Sequence, residues 1–233
     1  MKSVKSWTLI FASAALTFAS ASQAGHVSID TFDDGQPKLT AGPSTTVSGS
    51  TNGLGILGIE RELSLTNKGT SIFSEATFQI PGIGLAAESN AVLTTSKAVL
   101  TYDGVLSLGL GSGSGVDLID GTNDRIRFGT TTITGGDVTF TVKITDTDTD
   151  MASASVVASA GGPADHDIFF SDLGGVDLDK VESIEVTIET FDPGITILFS
   201  EITATVPEPS TFLLVGLGLA APALIVARQR KKA

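Results

Sequence analysis

An antiparallel β-sandwich is the fold class this sequence predicts, and three observations carry the prediction. Apolar residues recur at every second position in short runs, turn-forming residues punctuate those runs, and no segment away from the chain ends has helical periodicity. Val138, Phe140, Val142 and Ile144 alternate with Thr139, Thr141 and Lys143, so one face of that strand is buried and the other is wetted. Val181, Ile184, Val186 and Ile188 stand among Glu182, Glu185, Thr187 and Glu189, with a one-residue slip near Ser183. Further candidate strands are 26–32, 60–66, 72–80, 91–101, 105–110, 125–129, 153–159, 167–170 and 194–205. Turn signals separate them at Asp33-Asp34-Gly35, Asn67-Lys68-Gly69, Pro81-Gly82, Asp103-Gly104, Gly161-Gly162-Pro163, Gly174-Gly175 and Asp192-Pro193-Gly194. The expectation is a sandwich of about ten strands.

Each end of the chain reads differently from this body. Lys2 and Lys5 precede an uncharged apolar run, 8–18, and Ser22-Gln23-Ala24 supplies a small-x-small cleavage site. That order is a secretory signal peptide over 1–24, and the run is too short to span a bilayer. The domain would then occupy 25–205. At the other end, 211–227 is uncharged and abuts Arg228, Arg230, Lys231 and Lys232. At about 1.5 Å per residue it is a slightly short single transmembrane helix, which the flanking basic side chains extend by snorkelling. The basic tail, 228–232, lies on the cytoplasmic side by the positive-inside rule.

Val206-Pro207-Glu208-Pro209-Ser210, the apolar stretch and the basic cluster containing Arg228 and Arg230 together resemble the PEP-CTERM sorting signal of Gram-negative bacteria, over 206–233. The resemblance implies an exported precursor held in the inner membrane, cut at or near Pro-Glu-Pro by an exosortase, and delivered to the cell surface or the extracellular space. The two prolines keep the cleavage site extended and out of any helix, which suits a protease that binds backbone.

Composition bounds what the body does. Outside the terminal segments, 8 of the 14 basic and 25 of the 26 acidic residues remain, a net charge near −17. Such a body repels nucleic acid and anionic lipid, so no nucleic-acid partner is expected. The chain has no cysteine, which removes disulfides and thiol catalysis and leaves stability to a conventional core. The single Trp lies in the signal peptide and the single Tyr is Tyr102, so an aromatic sugar platform is poorly supplied. Most of the nine body phenylalanines, among them Phe140, Phe170 and Phe199, fit core positions.

The body also resembles secreted jelly-roll domains of the galactose-binding-like kind, through Ile29-Asp30-Thr31-Phe32-Asp33-Asp34-Gly35, Arg61-Glu62-Leu63, Leu100-Thr101-Tyr102-Asp103-Gly104 and Gly175-Val176-Asp177-Leu178. Domains of this sort often hold a structural calcium. Candidate ligands are Asp146, Asp148 and Asp150, whose carboxylates two apart converge on a hard cation where the backbone turns, and Asp30, Asp33 and Asp34. The first cluster is not an EF-hand, because Met151 stands where glycine is required and Val157 where a glutamate is. Gly53-Leu54-Gly55-Ile56-Leu57-Gly58 matches GxGxxG literally, but 45–52 before it is polar and no βαβ unit follows, so a glycine-rich loop is expected. Asp165-His166-Asp167 reads as an exposed turn, and Asn123 and Asp124 as weak candidates for polar recognition. These readings favour a noncatalytic surface or matrix protein associated with exopolysaccharide or biofilm. The alternative is a secreted polysaccharide hydrolase with an acidic cleft, which requires a carboxylate pair there.

Overall fold

In the computed structural model the described residues are 26–104, 109–119 and 123–205. The expected signal peptide, 1–24, and the expected sorting segment, 206–233, with its candidate span 211–227, lie outside them. Among the described residues no helix is long and apolar enough to cross a membrane.

Among the described residues fourteen strands carry the fold, more than the ten or so expected. In chain order they begin with β1 Val27–Asp30, β2 Gln36–Ala41, β3 Thr46–Asn52, β4 Glu60–Asn67, β5 Ala76–Ile80, β6 Ala86–Asn90 and β7 Ser96–Tyr102. They continue with β8 Arg125–Thr134, β9 Val138–Asp146, β10 Met151–Ala158, β11 Gly161–Phe169, β12 Val181–Thr190, β13 Thr196–Phe199 and β14 Glu201–Thr205. Helical structure among the described residues is confined to short 3-10 turns, at Leu110–Gly113 and Phe170–Asp172. The expected strand over 105–110 is therefore corrected at Leu110, where that turn begins; 105–108 lie outside the described residues. Strands β5 and β7 start four or five residues later than the apolar runs suggested, because Ile72, Phe73, Val92 and Leu93 sit in exposed turns.

Two antiparallel sheets face each other. One runs β10-β9-β12-β7-β4-β3. The other is organised around β8, which pairs with β11 along one edge and shares its other edge between β14, opposite Arg125 to Gly129, and β13, opposite Thr132 to Thr134. Beyond β14 lies β1, and beyond β13 lie β6, β5 and β2. The break between β13 and β14 falls at Ser200, whose N–H and hydroxyl both donate to the Gly129 carbonyl at 3.0 Å. The slip read at Ser183 is a real register shift of β12 against β9 between Val181 and Ser183.

The period-two pattern becomes the core. Inward residues of β9 (Val138, Phe140, Val142, Ile144) and β12 (Ile184, Val186, Ile188) are fully buried against Ile126, Phe128, Ile197 and Phe199 of the opposite sheet. Phe140 spans the interface, 4.6 Å from Phe128 and 6.4 Å from Phe199 between ring centroids, and Phe199 meets Phe32 edge-on at 5.0 Å. Such pairs add about 0.5–1.5 kcal/mol each beyond the area they bury.

A polar cluster centred on Arg61 interrupts this core. Arg61 on β4 and Asp30 on β1 are completely buried and pair at 2.6 Å, joining the two sheets. The remaining atoms are also committed. Arg61 donates to the Gln36 side chain at 3.0 Å and the Asp34 carbonyl at 2.8 Å, while Asp30 accepts from the Tyr102 hydroxyl at 2.9 Å and the Phe32 N–H at 2.8 Å. Burial pushes the Asp30 carboxyl up from its ordinary value, and Arg61 pulls against that shift. Replacing Arg61 with Met strands a buried carboxylate and should cost about 3–5 kcal/mol in urea unfolding. Pairing that change with Asp30→Leu should recover much of the loss, and a double variant no better than the single would contradict this account.

Candidate functional site

The outer face of the six-stranded sheet is polar. Strand register aligns its outward side chains in three transverse rows: Thr46-Thr66-Lys97-Glu189-Thr139-Val157, Ser48-Ser64-Val99-Thr187-Thr141-Ser155 and Ser50-Glu62-Thr101-Glu185-Lys143-Ser153. Strands about 4.8 Å apart make each row roughly 24 Å long. Most positions carry a hydroxyl and none carries an aromatic ring. Some hydroxyls pair across strands, Thr46 with Thr66 at 2.9 Å and Thr141 with Ser155 at 2.8 Å, and Lys68 bridges to Glu189 at the rim. At the β3–β4 corner, Ser48, Gly49, Ser50 and Glu62 line an open cleft of about 230 Å³. The sequence showed these residues only as polar alternates. The polar stretch 45–52 offered no apolar alternation, so β3 was not expected, and with it three of the four residues lining the cleft.

The carboxylates singled out from the sequence are placed elsewhere. Asp146 is buried at the end of β9 and accepts the N–H groups of Asp148, Asp150 and Asp177 at 2.8–3.0 Å, which hold its carboxyl below the usual range, the Asp177 bond most strongly. Asp148 and Asp150 are exposed. In the second cluster both oxygens of Asp30 are engaged as described, Asp34 accepts the Gly55 N–H at 2.8 Å, and Asp33 is exposed. Among the described residues no three acidic or histidine side chains gather as a metal site. The donor oxygens of Asp30 and Asp146 are already taken, so as placed neither cluster fits a calcium ion.

Asp165-His166-Asp167 is not a turn but part of β11, and Gly161-Gly162-Pro163, read as a turn, opens the same strand. Alternation in a strand puts His166 on the inner side, stacked on Phe140 at 6.0 Å, and Asp167 on the outer side against Arg125 and Arg127 at 2.7–2.8 Å. Burial acts to raise Asp167, but the two guanidinium groups more than offset it. Arg125 also pairs with Asp124 at 2.8 Å and lies over the Phe169 ring at 4.6 Å. Asn123 is buried, donating to the Leu118 carbonyl.

The GxGxxG stretch is a packing loop. A Cβ at Gly53 would lie 1.9 Å from Cγ of Asp34, and one at Gly55 would lie 2.3 Å from the Thr31 hydroxyl, so glycine here lets the loop close on the β1–β2 turn. Glu88 on β6 is fully enclosed, with one oxygen bonded to Ser96 and the other unpartnered, and burial raises it to about 7.

The last strand, β14, stays paired with β8 to its final residue, since the Thr205 carbonyl accepts the Asp124 N–H at 3.1 Å. A protein-sorting family model matches the chain from that point, over 205–231. These residues are a PEP-CTERM protein-sorting motif. The PEP-CTERM motif marks an exported, membrane-anchored precursor, and it begins without a linker where the sandwich ends. Val206, Pro207, Glu208, Pro209, Arg228 and Arg230 fall in it and lie outside the described residues. No curated protein matches the chain. Among solved structures it is similar to the family 11 carbohydrate-binding module of the cellulase Lic26A-Cel5E of Clostridium thermocellum, at 10% identity and a TM-score of 0.39, covering 81% of this chain and 99% of that one. The solution structure of CtCBM11 gives 11% and 0.41 over the same shares. The agarase AgWH50C gives 10% and 0.41 over 61% of this chain and 22% of the agarase, so the chain spans about a fifth of that enzyme. Likeness at this level transfers no ligand.

Two outcomes follow from these placements. Glu88 is neutral in both states below about pH 4.5 and, in the fold, remains protonated to about pH 7. Stability should therefore fall as pH rises across that window, by on the order of 3 kcal/mol in total. Glu88→Gln should flatten the slope, and parallel melting curves for the two proteins from pH 5 to pH 8 would refute this. Asp146→Ala should lower Tm by several degrees through loss of three hydrogen bonds, whereas millimolar calcium or a chelator should leave the parent Tm unchanged; a calcium-dependent rise would restore a metal role.

Proposed function

We propose that the protein is a noncatalytic component of the cell surface or extracellular matrix, freed from its membrane anchor by an exosortase, whose hydroxyl-rich sheet face contacts an extracellular polysaccharide. The observation carrying this reading is the PEP-CTERM motif joined directly to β14. The motif match begins at Thr205, so the Arg125–Thr205 end of β8 is the end of the sandwich from which the anchor leads. The opposite end, where the turns at 91–95, 135–137 and 191–195 meet, stands about 30 Å away, since β8 is ten residues long.

The noncatalytic part rests on where the shifted carboxyls lie. Asp30 and Glu88, the two whose acidity is weakened, are inside the sandwich and out of reach of a substrate. The ligand class rests on the face itself, where rows of Ser and Thr hydroxyls with a few Glu and Lys side chains offer donors and acceptors to a polyhydroxyl chain. The acidity of the body and the face's lack of aromatic rings disfavour nucleic acid and ring stacking alike.

Replacing Pro207, Glu208 and Pro209 with alanine should leave an uncut, membrane-bound precursor in the native host. Release of a body of normal size would sink the processing part. Replacing Ser48, Ser50, Ser64 and Thr101 with alanine should weaken binding to the host's own exopolysaccharide about tenfold or more, because each neutral hydrogen bond contributes about 0.5–1.5 kcal/mol. Unchanged binding with an unchanged Tm would remove this face as the contact surface.

A further inference from the structure

The sheet edges are unequally protected. In the eight-stranded sheet β2 carries Pro37 and Lys38, and β11 carries Pro163, Asp165 and Asp167. In the six-stranded sheet the outer edge of β3 is covered by β2, where Gln36 donates to the Gly49 carbonyl at 2.9 Å and Thr51 to the Gly35 carbonyl at 3.1 Å. Strand β10 has none of these devices. It is eight residues long, pairs only with β9 among the described residues, contains no charge and no proline, and exposes Met151 and Val157, each at 62%. A free, uncharged edge of this length presents unpaired N–H and C=O groups that another strand can complete.

We propose that β10 is a self-association edge, at which two copies of the chain pair antiparallel about a two-fold axis at Ala154. The strand is self-complementary in that register. Met151 faces Val157 of the second copy and Ser153 faces its Ser155 on the outer side, while Ala152 faces Val156 on the inner side. Every pair therefore joins like with like across the same sheet face. Charge also permits it, despite the acidity of the body. The acidic turn 146–150 of each copy runs past residues 158–160 of the other, which carry no charge, so no carboxylate opposes another. The result is isologous and closed, a continuous sheet of twelve strands with the hydroxyl rows of both copies on one surface. A single edge is smaller than the roughly 800 Å² per partner of a standard interface. The contact is thus weak in dilute solution and is strengthened where copies are concentrated on a surface. This inference does not depend on the polysaccharide reading.

Because the chain has no cysteine, cross-linking reads the register against no background. Full-length Ser153→Cys and Ser155→Cys chains, co-expressed in the native host and treated with a short bis-maleimide, should give a dimer several-fold more abundant than either variant alone. Val157→Lys should abolish it, and adding Met151→Glu should restore it, since the introduced ammonium of one copy then faces the introduced carboxylate of the other; recovery also shows that the single variant had not simply misfolded. Absence of dimer, a dimer indifferent to Val157→Lys, or no rescue by Met151→Glu would overturn the proposal. Adducts with a different protein in place of the dimer would also overturn it, in favour of a foreign donor strand.

Discussion

The buried pair of Arg61 and Asp30 is the constraint on which most of this sandwich depends. Two charges taken out of water between apolar sheets are tolerated only when they are well paired, and here all three guanidinium nitrogens and both carboxylate oxygens have partners. Meeting that condition fixes much else. The β1–β2 turn must bring the Asp34 carbonyl to Arg61, β2 must present Gln36, and β7 must present Tyr102. The glycines at 53 and 55 follow from the same demand, because the loop after β3 closes over Asp34 and has no room for side chains. A stretch that matches a nucleotide-binding pattern letter for letter is thus explained by the salt bridge it packs beside, since Ile56 pairs with the Asp30 backbone.

The molecule's acidity is divided between structural and surface roles. Asp30, Glu88 and Asp146 are inside, each bonded to a particular partner: a guanidinium, a hydroxyl or a set of backbone N–H groups. Asp165 and Asp167 pair with arginines on the outer side of β8 and β11. Others, among them Asp33, Asp148 and Asp150, are exposed. The abundance of carboxylates therefore does not amount to a cation site, although their spacing in the chain suggests one. An Asp two residues from another converges on a metal only if the backbone N–H groups of the turn leave its oxygens free, and around Asp146 they do not.

The sandwich also has a direction. Its C-terminal strand ends at the same end of β8 where the sorting motif starts, so the turns at 91–95, 135–137 and 191–195 lie at the opposite end of the sandwich from the motif. The free edge of β10 lies in the same sheet as the hydroxyl-rich face. Surface display and sheet extension are then compatible, because pairing along β10 widens the face without covering it.

How much was legible in the chain depended on which side of a strand the signal lay. Strands β9 and β12 were readable to within two residues, including the slip at Ser183, because aliphatic and aromatic side chains mark their buried faces. Strands β2, β3 and β6 were not. The first two form a partly exposed edge with little to bury, and β6 turns Ala86, Glu88 and Asn90 inward, so its core face looks polar. Only the end of strand β11, 167–169, was expected; its start was hidden by Gly161, Gly162 and Pro163, residues that an edge strand tolerates and a central one does not. By itself the sequence determined the fold class, the absence of disulfides and the sorting motif, since each is written in local composition and spacing. Only the tertiary structure decided that Asp30 belongs to Arg61, that Asp146 serves its own turn, and that scattered Ser and Thr residues form rows on one face. Those outcomes depend on contacts between residues tens of positions apart, and no local pattern encodes which partner a carboxylate or hydroxyl will meet.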